Sequence, residues 1–472
     1  MATRRPFPRT VPVCGLGLPL LLLSMWGCGD DDAGSPDSGM GVDAAPADVG
    51  TDAFDPPTDW PAMRPDVSIE VEPGITREIF TVPGFAAAAN PDTGDTTPSE
   101  LNATQVVRFR RTSDVPLAAR AIVIAMPGFL GGAGSLEGIA RSVVRAGVDS
   151  EPAEVWAIDR RSNALEDLAG MDAAEVAEDA EIAREYYFGN DTVGGRPFAG
   201  YVSGNAVGYM SEWGLQAHVE DVHAVIGLVP EAERRERVFF LGHSLGASFA
   251  EAYAAWEFED GSRGTDELAG LLLVDGVLGG APISETDYRE GTSGGLITQA
   301  GLDSIRNDAI ARYTTIPILG IDIYALAEVS ALRAEFLPEL VQDDAKRRQV
   351  FATLMGLPLV RVPRFTNLAA FALAFDDQFE PISIVRAKIG TMTGGPLETY
   401  AGIFDGEDLL RPSDPDGTYD WIDALDSVPP EVTPIENLIR GFYVGRTNYA
   451  EWYFPTRLPL DLAAVGGASI PE

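Results

Sequence analysis

Histidine is scarce in this chain: His218, His223 and His243 are the only three in 472 residues. So few imidazoles argue against a metal site built from several of them. Cysteine is scarcer still. Cys14 and Cys28 are the only two, and both precede residue 29. The rest of the chain therefore holds no disulfide and no thiolate metal site. Positive charge is also short, with 34 basic against 72 acidic side chains and a formal net charge of −38. Such a surface repels phosphate backbones, which excludes nucleic acid as a partner. There is no internal repeat. The apolar run near the N-terminus, Val11 to Trp26, is too short for a comfortable membrane-spanning helix.

What is present begins with an address. Arg4, Arg5 and Arg9 precede or open that run, the arrangement of a secretory signal. Thr3-Arg4-Arg5-Pro6-Phe7 also resembles the start of a twin-arginine signal, from which Pro8 departs. The run ends Ser24-Met25-Trp26-Gly27-Cys28, a small residue before a cysteine, which resembles the bacterial lipobox although Met25 and Trp26 are not its preferred residues. The expectation is a signal peptide over 1–28 and a lipidated Cys28 at a bacterial membrane. The alternative is an ordinary signal peptide and a secreted soluble protein. Ten aspartates lie between Asp30 and Asp66, with Arg64 the only base. The Asp-, Pro-, Gly- and Ala-rich stretch 29–66 buries little and repels itself, so it is expected to be a disordered tether.

With 45 % apolar residues, the remainder can bury an ordinary core. Ile75 to Val82 and Gln105 to Arg110 read as the antiparallel start of a sheet. Ala121 to Met126 is a continuous apolar run closed by Pro127-Gly128, the pattern of a strand buried on both faces. Strand signals at Val155 to Ile158, Val238 to Leu241 and Leu271 to Val274 alternate with helical ones at Ser135 to Ala146, His218 to Leu228 and Ala247 to Phe258. Alternation of this kind implies an α/β fold, a mostly parallel sheet with helices on both faces. Met171 to Tyr187 reads as a helix, opening an excursion that runs to Gly214. After Asp275, helical patterns at Gln299 to Tyr313, Ile321 to Glu335 and Pro338 to Leu354 predict a large, mostly helical cap. The expected division is a core over 67–280 and a cap with C-terminal region over 281–472.

Gly242-His243-Ser244-Leu245-Gly246 sits between a strand and a helix. A serine there stands on a turn so tight that the positions two residues either side cannot carry side chains, and its Oγ is thrust out above the sheet. Met126-Pro127-Gly128-Phe129-Leu130-Gly131-Gly132 closes the central strand. The two motifs and the strand order between them resemble the α/β-hydrolase family, over about Ile75 to Gly280. Family members often carry histidine in the slot of Pro127, so the match is to the glycine-rich variant.

The resemblance implies acyl transfer through an ester of Ser244, with the backbone N–H groups of Phe129 and Leu245 holding the oxyanion. Asp275 reads equally as a triad acid and as a turn residue. The family places its histidine after the nucleophile, and none follows Ser244. His243 reads as a packed neighbour of the elbow, and His218 and His223 as surface or packing residues.

Three explanations of the missing histidine stand side by side. The chain ends before the last core strands, the tail Gly466 to Glu472 reading as a linker. Or Ile382 to Ile389 and Leu438 to Val444 are those strands, followed by a loop without a base. Or the fold has become a binder. The function read from the sequence is an envelope-tethered carboxylic-ester hydrolase acting on a small or apolar ester. No cofactor is expected. The alternative is a non-catalytic ligand-binding lipoprotein. Phe365, Leu368, Phe371, Leu373 and Phe375 either line an apolar substrate site in the cap or only hold the cap together.

Overall fold

Seven strands form one sheet: β1 (Val67–Glu72), β2 (Ile75–Pro83), β3 (Ala103–Arg111), β4 (Ala121–Met126), β5 (Ala153–Asp159), β6 (Val238–His243) and β7 (Gly270–Val274). Their spatial order is β1-β2-β3-β5-β4-β6-β7. The first three run as an antiparallel meander, β3 lies antiparallel to β5, and β5, β4, β6 and β7 are mutually parallel. The computed structural model describes residues 65–112, 119–147, 151–276, 283–293, 298–315, 320–342, 344–379, 387–401, 408–423, 434–443 and 447–466. The expected signal peptide, the expected lipidated Cys28 and nearly all of the expected tether lie outside the described residues. Among the described residues no helix is long and apolar enough to cross a membrane.

β4 is the axis. Ile122, Ile124 and Met126 face one hydrophobic cluster, while Val123 and Ala125 face another. A strand buried on both faces must be apolar at every position, which is why this run does not alternate. Helix α1 (Glu137–Ala146) covers one face with Ala140 and Val144. Helices α2 (Leu215–Ile226) and α3 (Leu245–Ala255) cover the other. The small residues Ala247, Ala250 and Ala254 let α3 lie close to the sheet. The excursion is broken: helices Ala169–Ala177 and Ala180–Arg184 are separated at Glu178, which takes a left-handed conformation.

Beyond the sheet, four helices matter to the site: α4 (Asp322–Phe336), α5 (Ala345–Leu354), α6 (Asn367–Ala372) and α7 (Ile435–Tyr443). The expected helix from Pro338 thus starts at Ala345, where Asp344 caps it by accepting from the N–H groups of Lys346 and Arg347. Strands are present too. β8 (Gly390–Thr393) pairs with β9 (Thr418–Asp423).

Leu438 to Val444 is not a core strand, for Leu438 to Tyr443 lie in α7. Ile435, Leu438, Ile439 and Phe442 are buried at helical spacing. Ile382 to Arg386 lie outside the described residues, and Ala387 to Ile389 form no strand beyond a single bridge of Ala387 to Asp376. Gly466, the first residue of the expected linker, ends a helix, α8 (Arg457–Gly466). Leu458 and Leu462 of α8 and the preceding Phe454 join the cluster beneath β4 and α3. Residues 467–472 lie outside the described residues. Among the described residues β7 is the last strand of the sheet.

Candidate active site

The register of the parallel strands sets the site. Met126 pairs with Gly242, and His243 with Val274, so the ends of β4, β6 and β7 emerge side by side. The chain leaves β4 toward β5 on one side and returns as β6 on the other. Crevices at such a reversal, beyond the carboxyl ends of parallel strands, are where open α/β sheets bind ligands.

Three strained residues meet there. Ser244 has φ 53° and ψ −122° and precedes the first residue of α3. Leu130 and Asp275 also have positive φ, 58° and 50°. Side chains cost free energy in this region, and such strain collects at functional sites. The glycines around Ser244 are sterically required. A Cβ on Gly242 would lie 2.0 Å from the Gly246 carbonyl oxygen, and one on Gly246 would lie 2.2 Å from that of Met126.

The loop after β4 touches the serine. A Cβ on Gly128 would stand 3.0 Å from Ser244 Cβ and 3.5 Å from His243 Nδ1. Phe129 follows in a turn closed by the Gly131 N–H donating to Gly128 O at 3.2 Å. Leu245, at the start of α3, has no acceptor for its N–H within the helix. Its side chain is buried beneath the sheet edge.

Asp275 is exposed at the end of β7. The Asp275-Gly276 turn backs onto the elbow: a Gly276 Cβ would come within 2.3 Å of Ser244 O, and the Ser244 N–H donates to Val274 O at 2.9 Å. His243 reaches solvent on one side. Burial on its other side lowers its pKa, and the charge of Asp275 acts in the opposite sense. His218 is buried beneath the sheet with Nδ1 2.7 Å from Gly214 O, and burial takes its pKa down to about 3. His223 stacks on Phe258 and meets the Tyr253 hydroxyl at 3.2 Å. Tyr253 lies nine residues along the helix from Ser244, roughly 13 Å away at the α-helical rise. Only His243 of the three shares the serine's surroundings.

The sequence reading missed what holds the loop. Arg160, buried just past β5, donates to the carbonyls of Pro127 (2.7 Å), Gly128 (3.3 Å) and Gly131 (2.9 Å) and to Glu451 Oε1 (3.1 Å). Its guanidinium also lies over the Phe454 ring, 5.0 Å from the centroid. From the other side, Gly132 and Gly134 donate to the Tyr449 and Asn448 carbonyls at 2.8 and 3.0 Å, and the Glu451 N–H donates to Leu130 O at 2.9 Å. Asp159 accepts from the Ala133 N–H at 3.1 Å. Burial, reinforced by Glu451, raises the Asp159 pKa to about 8. Burial also raises Glu451, against the pull of Arg160. One signal was readable: Asp159-Arg160-Arg161 puts three charges at the carboxyl end of a buried strand, where ligand sites form. Among the described residues no group of His, Cys, Asp and Glu could hold a metal ion.

The chain matches no family model and no curated protein. Solved structures similar to it include a candidate lipase from Sulfolobus solfataricus, 13 % identical, covering 61 % of this chain and 68 % of that one at a TM-score of 0.30. A peroxisomal α/β-hydrolase from Saccharomyces cerevisiae is 13 % identical, with 47 % and 50 % covered and a TM-score of 0.26. A bacterial heroin esterase is 12 % identical, with 50 % and 55 % covered and a TM-score of 0.23. The chain thus spans about half the length of the last two. Likeness this slight carries no argument about chemistry.

Proposed function

We propose that the chain is a carboxylic-ester hydrolase of the α/β-hydrolase type that passes an acyl group through Ser244. One observation carries the reading: the strained Ser244, with φ 53°, lies against Gly128, the residue before Phe129 on the loop after β4. In this scheme Oγ attacks the ester carbonyl, and the developing oxyanion accepts from the N–H groups of Phe129 and Leu245. The departing alkoxide takes a proton from solvent and leaves as the alcohol, and in a second step water adds to the acyl ester, releasing the acid and the free Ser244 hydroxyl. Asp275 is the candidate acid. No histidine follows Ser244, so the Oγ proton goes to solvent and turnover is slow. An oxyanion hole and binding alone still leave on the order of 10³–10⁴-fold over water. The lipid anchor at Cys28 and a place in the cell envelope belong to the same proposal.

The test is a fluorophosphonate probe with the adduct mapped, alongside turnover of p-nitrophenyl acetate. Label on Ser244, abolished by Ser244→Ala, is the expected result; label elsewhere or nowhere removes the reading. His243→Ala is expected to change the labelling rate by less than about threefold, since general-base loss would cost about 10²-fold or more. The second reading, a binder on the same fold, is favoured by the absence of a histidine after Ser244. It would leave the serine unlabelled.

A further inference from the structure

Between the loop after β4 and the cap lies a cavity of about 130 Å³. Leu130 supplies the wall on the loop side, and Leu326, Val350, Leu354, Phe375 and Phe442 supply much of the rest. The polar side chains in its lining are Ser330, Arg347, Tyr324 and Tyr449, and of these only Arg347 carries a charge. The Arg347 guanidinium is turned to Asn367 Oδ1 at 3.1 Å and to the Gln342 carbonyl. An ionised ligand would therefore be stranded among hydrocarbon, whereas an uncharged apolar group loses only its water. Size narrows the class. An apolar cavity of about 150 Å³ elsewhere stays dry and accepts benzene. This one suits a single ring or a chain of roughly six carbons.

Of the cap residues flagged from the sequence, Phe365, Phe371 and Leu373 are buried in the cap's own core, and Leu368 packs against it. Phe375 alone lines the cavity. Phe442 and Tyr449 stack at 4.3 Å to form one end. Tyr449 is also the residue whose carbonyl holds the Gly132 N–H. The cavity thus shares a wall with the loop that faces Ser244.

We propose that this cavity binds an uncharged apolar group of about six carbons, and that the group is the acyl part of the ester. The second half rests on the function proposed above. The probes are benzene and a series of p-nitrophenyl esters. With Ser244→Ala protein, benzene should give a saturable rise in Tm. Val350→Phe, which fills the cavity from α5, should weaken that response at least tenfold. Ala327→Leu, filling from α4, serves if the first variant does not fold. With active protein, hexanoate should be turned over at least tenfold faster than acetate and dodecanoate, and either filled variant should move the optimum to acetate. No benzene response, or one unchanged in both filled variants, overturns the site. An identical ester profile in wild type and filled variants overturns the acyl assignment even where Ser244 is labelled. Benzene binding in a protein whose Ser244 takes no label supports the site while removing the ester chemistry.

Discussion

The two flanks of Ser244 are finished differently. On the β4 flank β4 and β5 are each paired on both sides, and the loop is held from below by Arg160 and from beside by Asn448, Tyr449 and Glu451. On the β7 flank the sheet stops among the described residues. Leu271, Leu272, Leu273 and Val274 are 37–41 % exposed, although in β6 beside them Val238, Phe240 and Leu241 are at most 4 % exposed. In the proposed reaction, the contrast falls between its two halves. The loop that carries Phe129 is fixed in place before substrate arrives, whereas among the described residues Asp275, at the end of β7, is exposed.

The sharpest way to break the contrast is to loosen the built flank. Arg160→Met removes the donors to three loop carbonyls and leaves Glu451 buried without its cation. Breaking a buried pair in this way costs about 3–5 kcal/mol. The labelling rate of Ser244, measured well below Tm, should also fall on the order of 10²-fold, the effect of misplacing an oxyanion donor. Arg160→Lys should recover part of the stability and little of the rate, because one ammonium does not reproduce a planar fork. Unchanged labelling in folded Arg160→Met would mean that the loop keeps its shape unaided.

Acidity provides a smaller effect on the same flank. Burial raises both Asp159 and Glu328 to about 8. Their unfolded values lie near 4. Between these values the folded state holds protons that the unfolded state has lost, so stability falls as pH rises from about 4 to about 8. Glu72, lowered by Arg145, works in the other direction, but only in the acid range around its ordinary pKa. Thermal melts should therefore show Tm dropping from pH 6 to pH 8, and Asp159→Asn should flatten the slope. A Tm that climbs over this interval would contradict the neutral state of these carboxyls.

How legible each flank was follows from where its information sits. The elbow and β4 were readable because their requirements are local: two glycines around one serine, and an unbroken apolar run. The Arg160–Glu451 pair was not, since its members are 291 residues apart and nothing near either names the other. The cap was read in part. Helix α7 carries buried residues at helical spacing, and of the short strands β8 has only four residues while β9 alternates buried Tyr419 and Trp421 with exposed Asp420 and Ile422. The open β7 edge was invisible for the opposite reason. Leu271 to Val274 has the composition of a strand buried on both faces, and only the surrounding structure shows otherwise.

That edge gives the smallest expected effect and the cleanest reading of the second flank. Parallel strands are normally covered on both faces, and an exposed apolar edge is a template for unwanted pairing, which lysine suppresses. If β7 is terminal in solution, Leu272→Lys places its ammonium in water. The stability change should then stay within about 0.5 kcal/mol. For a folded body of this size that is under about 1 °C in Tm. Self-association, followed by light scattering, should fall. If other polypeptide covers the strand, the same lysine is buried without a partner. Tm should then drop by far more than in the terminal case, and the labelling rate of Ser244 should change with it, because the Val274 carbonyl holds the Ser244 N–H. A large drop would show that the unfinished flank is completed by polypeptide outside the described residues, and the search for the base would move there.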